Sequence, residues 1–120
     1  MKRDMDLVRK IVFLIEDHPH GFAPDVQIDG HTEEEIGYHV HLMVQAGLID
    51  GCDCSTSEFA SPQAMATGLT WQGHEFAELA RNETIWGKAK KIVKEKVGST
   101  GISLLLEVLK DQAKQALGLH

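Results

Sequence analysis

The stretch from His31 to Asp50, HTEEEIGYHVHLMVQAGLID, constrains the fold more than any other part of the chain. Thr32 and Glu35 stand at the Thr-x-x-Glu spacing of a capping box, in which side chains answer free N–H groups of the first helical turn. Ile36, Val40, Met43 and Val44 then recur at i, i+4, i+7 and i+8, which places them on one face of a helix. Gly47 falls where a helix-ending left-handed residue is wanted, and Leu48 where its apolar contact is made. Ala46-Gly47-Leu48-Ile49 therefore carries a helix directly into a short apolar strand.

The flanking elements follow from similar signals. Leu7, Ile11 and Ile15, widened by Val8, Val12 and Leu14, make a helix of Met5 to Glu16, with Asp4 or Asp6 as N-cap and Pro19 beyond its end. His18 to Pro24 is a loop. Asp25 to Asp29 alternates as a short strand with Val26 and Ile28 on one face, and Gly30 is its turn. After the central helix, Leu48 to Cys54 is a strand, the polar run Ser55 to Gly68 its long connection, and Leu69-Thr70-Trp71 the returning strand. Thr70 can cap a helix over Gln72 to Arg81, and Asn82 another over Glu83 to Val97. In that second helix Ile85, Ala89, Ile92 and Val93 face inward, and Lys88, Lys91 and Lys94 outward. Val97 to Gly101 is a hinge, and Ile102 to Leu117 the last helix.

A capped helix, a strand, a polar tip, a returning strand and a closing helix outline a winged-helix-like domain. The fold class is therefore α+β, with a small two- or three-stranded wing sheet and two additional C-terminal helices. Too little chain separates Asp29 from Thr32 for a second helix, so the helix-turn-helix is reduced. Residues 1–81 form the winged-helix-like domain and 82–120 a helical extension. The last helix is apolar over more of its circumference than one partner face requires, which points to burial on two sides. A homodimer through Leu104, Leu105, Val108 and Leu109 supplies the second side; packing against helix one within the monomer is the plainer alternative.

A length of 120 residues suits one domain with a short appended piece, and 42% hydrophobic residues suffice for a core. No run of about 18 apolar residues is present, so no membrane span is expected. Met1-Lys2-Arg3-Asp4 lacks the apolar core of a signal peptide, and two cysteines suit a reducing compartment, so the expected location is cytoplasmic. Charge is unevenly spread. Twelve of the eighteen acids lie between Lys10 and Arg81, and none of the twelve lysines and arginines does. Lys2, Arg3, Arg9 and Lys10 form one basic end; Arg81 to Lys96, with Lys88, Lys90, Lys91 and Lys94, forms a second.

Three segments, MKRDMDLVRKIVFLIEDHPHGF, GHTEEEIGYHVHLMVQAGLID and LTWQGHEFAELARNETIWGKAKK, resemble a family of small bacterial and prophage proteins, domain of unknown function 2513. The resemblance runs from Met1 to about Lys96, and Trp71 to Phe76 and Asn82 to Trp86 are its most specific parts. It implies a winged-helix character and carries no activity with it.

Function divides between two kinds of macromolecular partner. A winged helix usually sets its third helix in the major groove and its wing on the backbone. DNA affinity depends on neutralising phosphates, yet this helix opens on Glu33, Glu34 and Glu35 and holds no cation. Its outward residues Glu34, Tyr38, His41 and Gln45 suit a protein partner better, and the acidic centre suits a basic one. DNA contact through the basic ends is the alternative. Tyr38 lies off the apolar stripe and is the preferred contact residue, whereas Trp71, Phe76 and Trp86 are expected to pack.

No cofactor or small-molecule substrate is expected, and a metal-binding protein is the outside alternative. His74 and Glu78 share a helix face, but Glu78 stands where His-Glu-x-x-His needs its second histidine. His39 and His41 point about 200° apart on a helix, and Cys52-x-Cys54 lacks a second cysteine pair for zinc. His18 and His20 flank a proline in a loop, as structural or exposed residues. Neither a Gly-x-Ser-x-Gly nor a phosphate-binding loop is present, so the chain is expected to be non-enzymatic.

Overall fold

A Thr32 cap, a Gly47 stop and a short hairpin organise the first half of the chain. The computed structural model describes residues 2–18, 26–95 and 102–118, with backbone alone for 94–95 and 102–103. The elements are α1 (Met5–Glu16), α2 (Glu33–Gln45), β1 (Ile49–Asp53), β2 (Ala64–Leu69), α3 (Trp71–Ala80), α4 (Glu83–Glu95) and α5 (Ile102–Ala116). The class is α+β, five helices and one two-stranded antiparallel sheet, compatible with a winged-helix-like arrangement. Two compact units, Met1–His74 and Glu75–His120, divide within α3.

In the first unit α1 begins at Asp4, whose carboxylate accepts the N–H groups of Asp6 (3.0 Å) and Leu7 (3.2 Å). Leu7, Val8, Ile11, Val12 and Ile15 are buried along one stripe; burial of each such side chain contributes roughly 1.5–3 kcal/mol. In α2 the Thr32 hydroxyl accepts the Glu35 N–H at 3.1 Å, while the Glu35 carboxylate turns to the His31 imidazole. Ile36, Val40 and Met43 are buried as the spacing predicts. At the other end Gly47 takes φ +80°, the Leu48 N–H donates to the Met43 carbonyl at 3.0 Å and the Gly47 N–H to that of Val44 at 3.1 Å. This is the Schellman end, and it reverses the chain into β1.

His39 is fully buried on α2. Its Nδ1 lies 2.8 Å from the Glu35 carbonyl, and its Nε2 2.9 Å from the Asp4 backbone nitrogen. A carbonyl can only accept and a backbone N–H only donate, so the ring is neutral with its hydrogen on Nδ1. One imidazole thus joins the cap of α1 to the first turns of α2.

The hairpin pairs Ile49 with Leu69, Cys52 with Met65 and Asp53 with Ala64, with a bulge between Asp50 and Gly51. Thr70 closes its base: its N–H donates to the Leu48 carbonyl (3.1 Å), and its hydroxyl donates to the Gly47 carbonyl (2.6 Å) and accepts the Gly73 N–H (3.0 Å). That last bond starts α3, as the Thr70 cap predicts.

Several expectations are corrected. Val26 to Ile28 form no strand: the Ile28 carbonyl accepts the His31 N–H (3.3 Å), and Gly30 at φ +86° turns the chain at once toward the Thr32 cap; Asp25 lies outside the described residues. The returning strand is Ala64–Leu69 rather than Leu69 to Trp71, so the connection is shorter than Ser55 to Gly68. Trp71 is not a packed strand residue but the first residue of α3, 85% exposed. Once Thr70 acts as N-cap, the following side chain projects from the helix start. Pro19, His20, Lys96 and the hinge at Val97 to Gly101 lie outside the described residues.

In the second unit the Asn82 side chain accepts the Ile85 N–H at 3.0 Å and caps α4. Trp86, Ala89 and Val93 are buried and pack toward α5, where Leu105, Leu106 and Leu109 are buried. Phe76 meets Trp86 edge-on, ring centres 5.8 Å apart at 83°. Glu75 of α3 pairs with Lys110 of α5. No helix of the described residues is long and apolar enough to cross a membrane.

Replacing His39 by Phe keeps a ring in the core but removes its bonds to the Asp4 N–H and the Glu35 carbonyl. Urea unfolding should show a loss of about 1–3 kcal/mol, the worth of two part-buried hydrogen bonds. A stability equal to wild type would show that the two bonds are not needed.

Candidate functional site

The outer side of α2 and the hairpin tip are built together. Glu34 is half-buried: its carboxylate accepts the Ser61 N–H at 3.1 Å, and its carbonyl accepts the Gln63 side-chain amide at 3.0 Å. Gln63 is itself buried, and the same amide nitrogen reaches the carbonyls of Pro62 (3.1 Å) and Ser61 (3.4 Å). The Gln63 N–H donates to the Ser55 hydroxyl (3.0 Å), and its carbonyl accepts the Cys54 N–H (2.9 Å). The tip is thereby folded back onto the first turns of α2.

Gly37 makes this possible. A Cβ there would lie 1.7 Å from the Gln63 side-chain oxygen, so the helix must present bare backbone at that point. A glycine inside a helix costs about 1 kcal/mol relative to alanine; here it provides the seat for a buried amide.

Next along the face, the half-buried Tyr38 ring stacks on His41 at 6.3 Å and 20°, and meets His39 edge-on at 6.1 Å. Gln45 is exposed at the end of the helix. Of the four expected contact residues, Tyr38 and His41 form one aromatic pair, Glu34 is occupied by the tip, and Gln45 stands apart. On the adjoining strand the Ser55 hydroxyl and N–H (2.8 Å) beside Asp53 hold its carboxyl below the usual range, with the nearby His41 acting the same way. Burial pushes the Cys54 thiol up, helped by the neighbouring Cys52 and Asp53. Cys52 and Cys54 are free thiols, the first exposed. Among the described residues no three His, Cys, Asp or Glu side chains converge as a metal site would require.

The basic residues divide by exposure. Lys2, Arg3, Lys10, Lys88 and Lys91 are exposed. Arg9 lies over the Phe13 ring at 5.0 Å and Lys90 over Trp86 at 5.9 Å, so both share their charge with an aromatic face. The Lys94 side chain lies outside the described residues. On α5, Leu105 and Leu109 are fully covered within the chain, Leu104 and Val108 are half-buried, and Leu117 is 75% exposed.

Gln63, Gly37 and His39 carry most of this geometry, and sequence reasoning assigned none of them a role. The one available signal was Gly37, a residue that disfavours helix placed mid-helix with no local reason.

Gly37→Ala should destabilise the protein by about 1 kcal/mol or more despite the better helix propensity, because the methyl displaces the Gln63 amide. In a Gln63→Ala background the same change should stabilise. The double-mutant cycle read by denaturant unfolding checks this, and additive effects would disconnect the two positions.

An uncharacterised protein of Haemophilus influenzae is 34% identical to the chain over 122 residues, covering 95% of this chain and 93% of that protein. No solved structure matches. The family model described as "Hypothetical protein (DUF2513)" matches residues 2–99. With that match across most of its length, the chain belongs to the DUF2513 family.

Proposed function

We propose that the chain is a small non-enzymatic regulator or adaptor acting through its winged-helix-like unit by binding a macromolecular partner, a protein in preference to DNA. The observation that carries this reading is the charge of α2 and the hairpin. Glu33, Glu34 and Glu35 occupy the first turn of α2, Asp50, Asp53 and Glu58 are exposed on the hairpin, and no lysine or arginine occurs from residue 11 to residue 80. Phosphate brought to this face meets uncompensated carboxylates, whereas a basic protein surface meets complementary charge. The Tyr38–His41 pair offers a flat aromatic contact beside it, of the kind that anchors protein interfaces.

Exposed Lys2, Arg3, Lys10, Lys88 and Lys91 favour a second reading, DNA contact through the basic segments. A homodimer through α5 belongs to the main proposal and draws on the half-buried Leu104 and Val108.

Titration with random duplex DNA at two salt concentrations separates the readings. The protein reading expects no binding even at low salt. Salt-sensitive binding lost on replacing Lys90, Lys91 and Lys94 by glutamate supports the second reading instead. Affinity capture from producing cells then tests the surface: Tyr38→Ala and His41→Ala should each weaken partner recovery about tenfold, the ~1.4 kcal/mol of a modest hot spot. Undiminished recovery by the double variant removes this face from consideration.

A further inference from the structure

We propose that Cys52, Cys54 and Met65 form a three-sulfur site on the hairpin for one soft monovalent cation, copper(I). The proposal goes beyond the partner reading above and stands apart from it, since it needs only the hairpin.

The strand pairing places the three sulfurs together. Cys52 and Met65 are register partners across the hairpin, and side chains directly opposite in an antiparallel pair stand about 5 Å apart at Cβ. Cys52 is exposed and Met65 is 61% exposed, so a cation reaches them from solvent. Pairing runs one step beyond β1, where the Cys54 N–H donates to the Gln63 carbonyl at 2.9 Å. Cys54 is two residues along the extended chain from Cys52, which sets both side chains to the same side. Met65 is then its diagonal neighbour at about 7 Å, within reach of a long side chain. Cys54 and Met65 also border one groove, and the Cys52 thiol is close enough to help raise that of Cys54. Each of the three pairs is joined by its own observation.

Two thiols so spaced favour a shared ion over a bond to each other. Successive residues on one side of an extended strand lie about 6.6 Å apart at Cα, near the outer limit for a disulfide. A disulfide brings its sulfurs to about 2 Å, whereas two metal–thiolate bonds of about 2.3 Å leave them roughly 4 Å apart. The flexible, unbranched Met65 side chain adapts to complete the set.

The donors select the cation. Thiolate and thioether sulfurs are soft and favour copper(I). Zinc asks for four tetrahedral donors, and among the described residues no further His, Cys, Asp or Glu side chain joins the two thiols. The Asp53 carboxylate between them is engaged by the Ser55 N–H at 2.8 Å. Asp50, Asp53 and Glu58 are exposed on the same hairpin, and their charge draws in a cation. On binding, both thiols release their protons to solvent, two copper–sulfur bonds form, and the thioether donates a lone pair as third ligand. Copper remains copper(I) throughout.

The test is an anaerobic titration of the reduced full chain, labelled at its methionine methyls, with copper(I) delivered from a competing chelator of known affinity. Native mass spectrometry should show one copper per chain with two protons lost. Near-ultraviolet absorption should show thiolate-to-copper charge transfer. By NMR the Met65 methyl should shift and that of buried Met43 should not. Cys52→Ser and Cys54→Ser should each weaken binding about a hundredfold, since a hard hydroxyl replaces a soft thiolate. Met65→Leu should weaken it about tenfold through loss of the thioether. Excess zinc should leave the complex intact. The Met65 shift and the zinc competition are read on the wild type, so they do not depend on how the variants fold.

Four outcomes overturn the proposal: no copper taken from the chelator, an unshifted Met65 methyl, full affinity in Met65→Leu, or displacement by zinc. One copper held between two chains, or a Cys52–Cys54 disulfide in the protein isolated without oxidant, overturns it as well.

Discussion

The His39 imidazole has no solvent to fall back on, so both ring nitrogens must be answered by protein, and the two answers come from different helices. Asp4 serves twice: its carboxylate caps α1, while its N–H reaches across to His39. Glu35 also serves twice, its carboxylate holding His31 and its carbonyl holding His39. Apolar burial along α1 is non-directional, whereas bonds to one ring are directional and fix the register. Burial supplies the drive to associate, and His39 selects the alignment.

Elements with local signals are legible in the sequence. The Asp4, Thr32, Thr70 and Asn82 caps and the Gly47 stop all act within a few residues of themselves, and all appear as expected. The failures share a different cause. Ala64 to Gly68 is poor strand sequence by propensity and becomes a strand because Cys52 to Asp53 pairs with it and small residues fit beneath α2. Val26 to Ile28 has the alternation of a strand but pairs with no strand among the described residues. Gln63 looks like one more polar residue in a solvated loop; its burial depends on a glycine 26 positions earlier. The apolar ring of Trp71 suggests packing, whereas the Thr70 cap beside it decides its exposure.

The site was legible in part. Tyr38 and His41 stand side by side as their spacing suggested, yet Glu34, on the same helical face, is taken up by the tip. Three glutamates in the first turn of α2 stabilise the helix against its own dipole, and the same charges set which ligands can approach. A feature with a sufficient structural reason can still restrict function. Family membership adds breadth without adding chemistry, so the partner's nature has to be argued from surface charge and aromatic pairing.

Thr70 grips the base of the hairpin, and Gln63 with Ser61 pins its far end to α2. A hairpin anchored at one end behaves as a cantilever and absorbs a push by swinging. One held at both ends behaves as a loaded beam, and force applied midway is delivered to its supports. Here the supports are the first turn of α2 and the Gly47–Leu48 turn that ends the same helix. A hairpin usually pictured as a loose arm is here braced at both ends against the helix it follows.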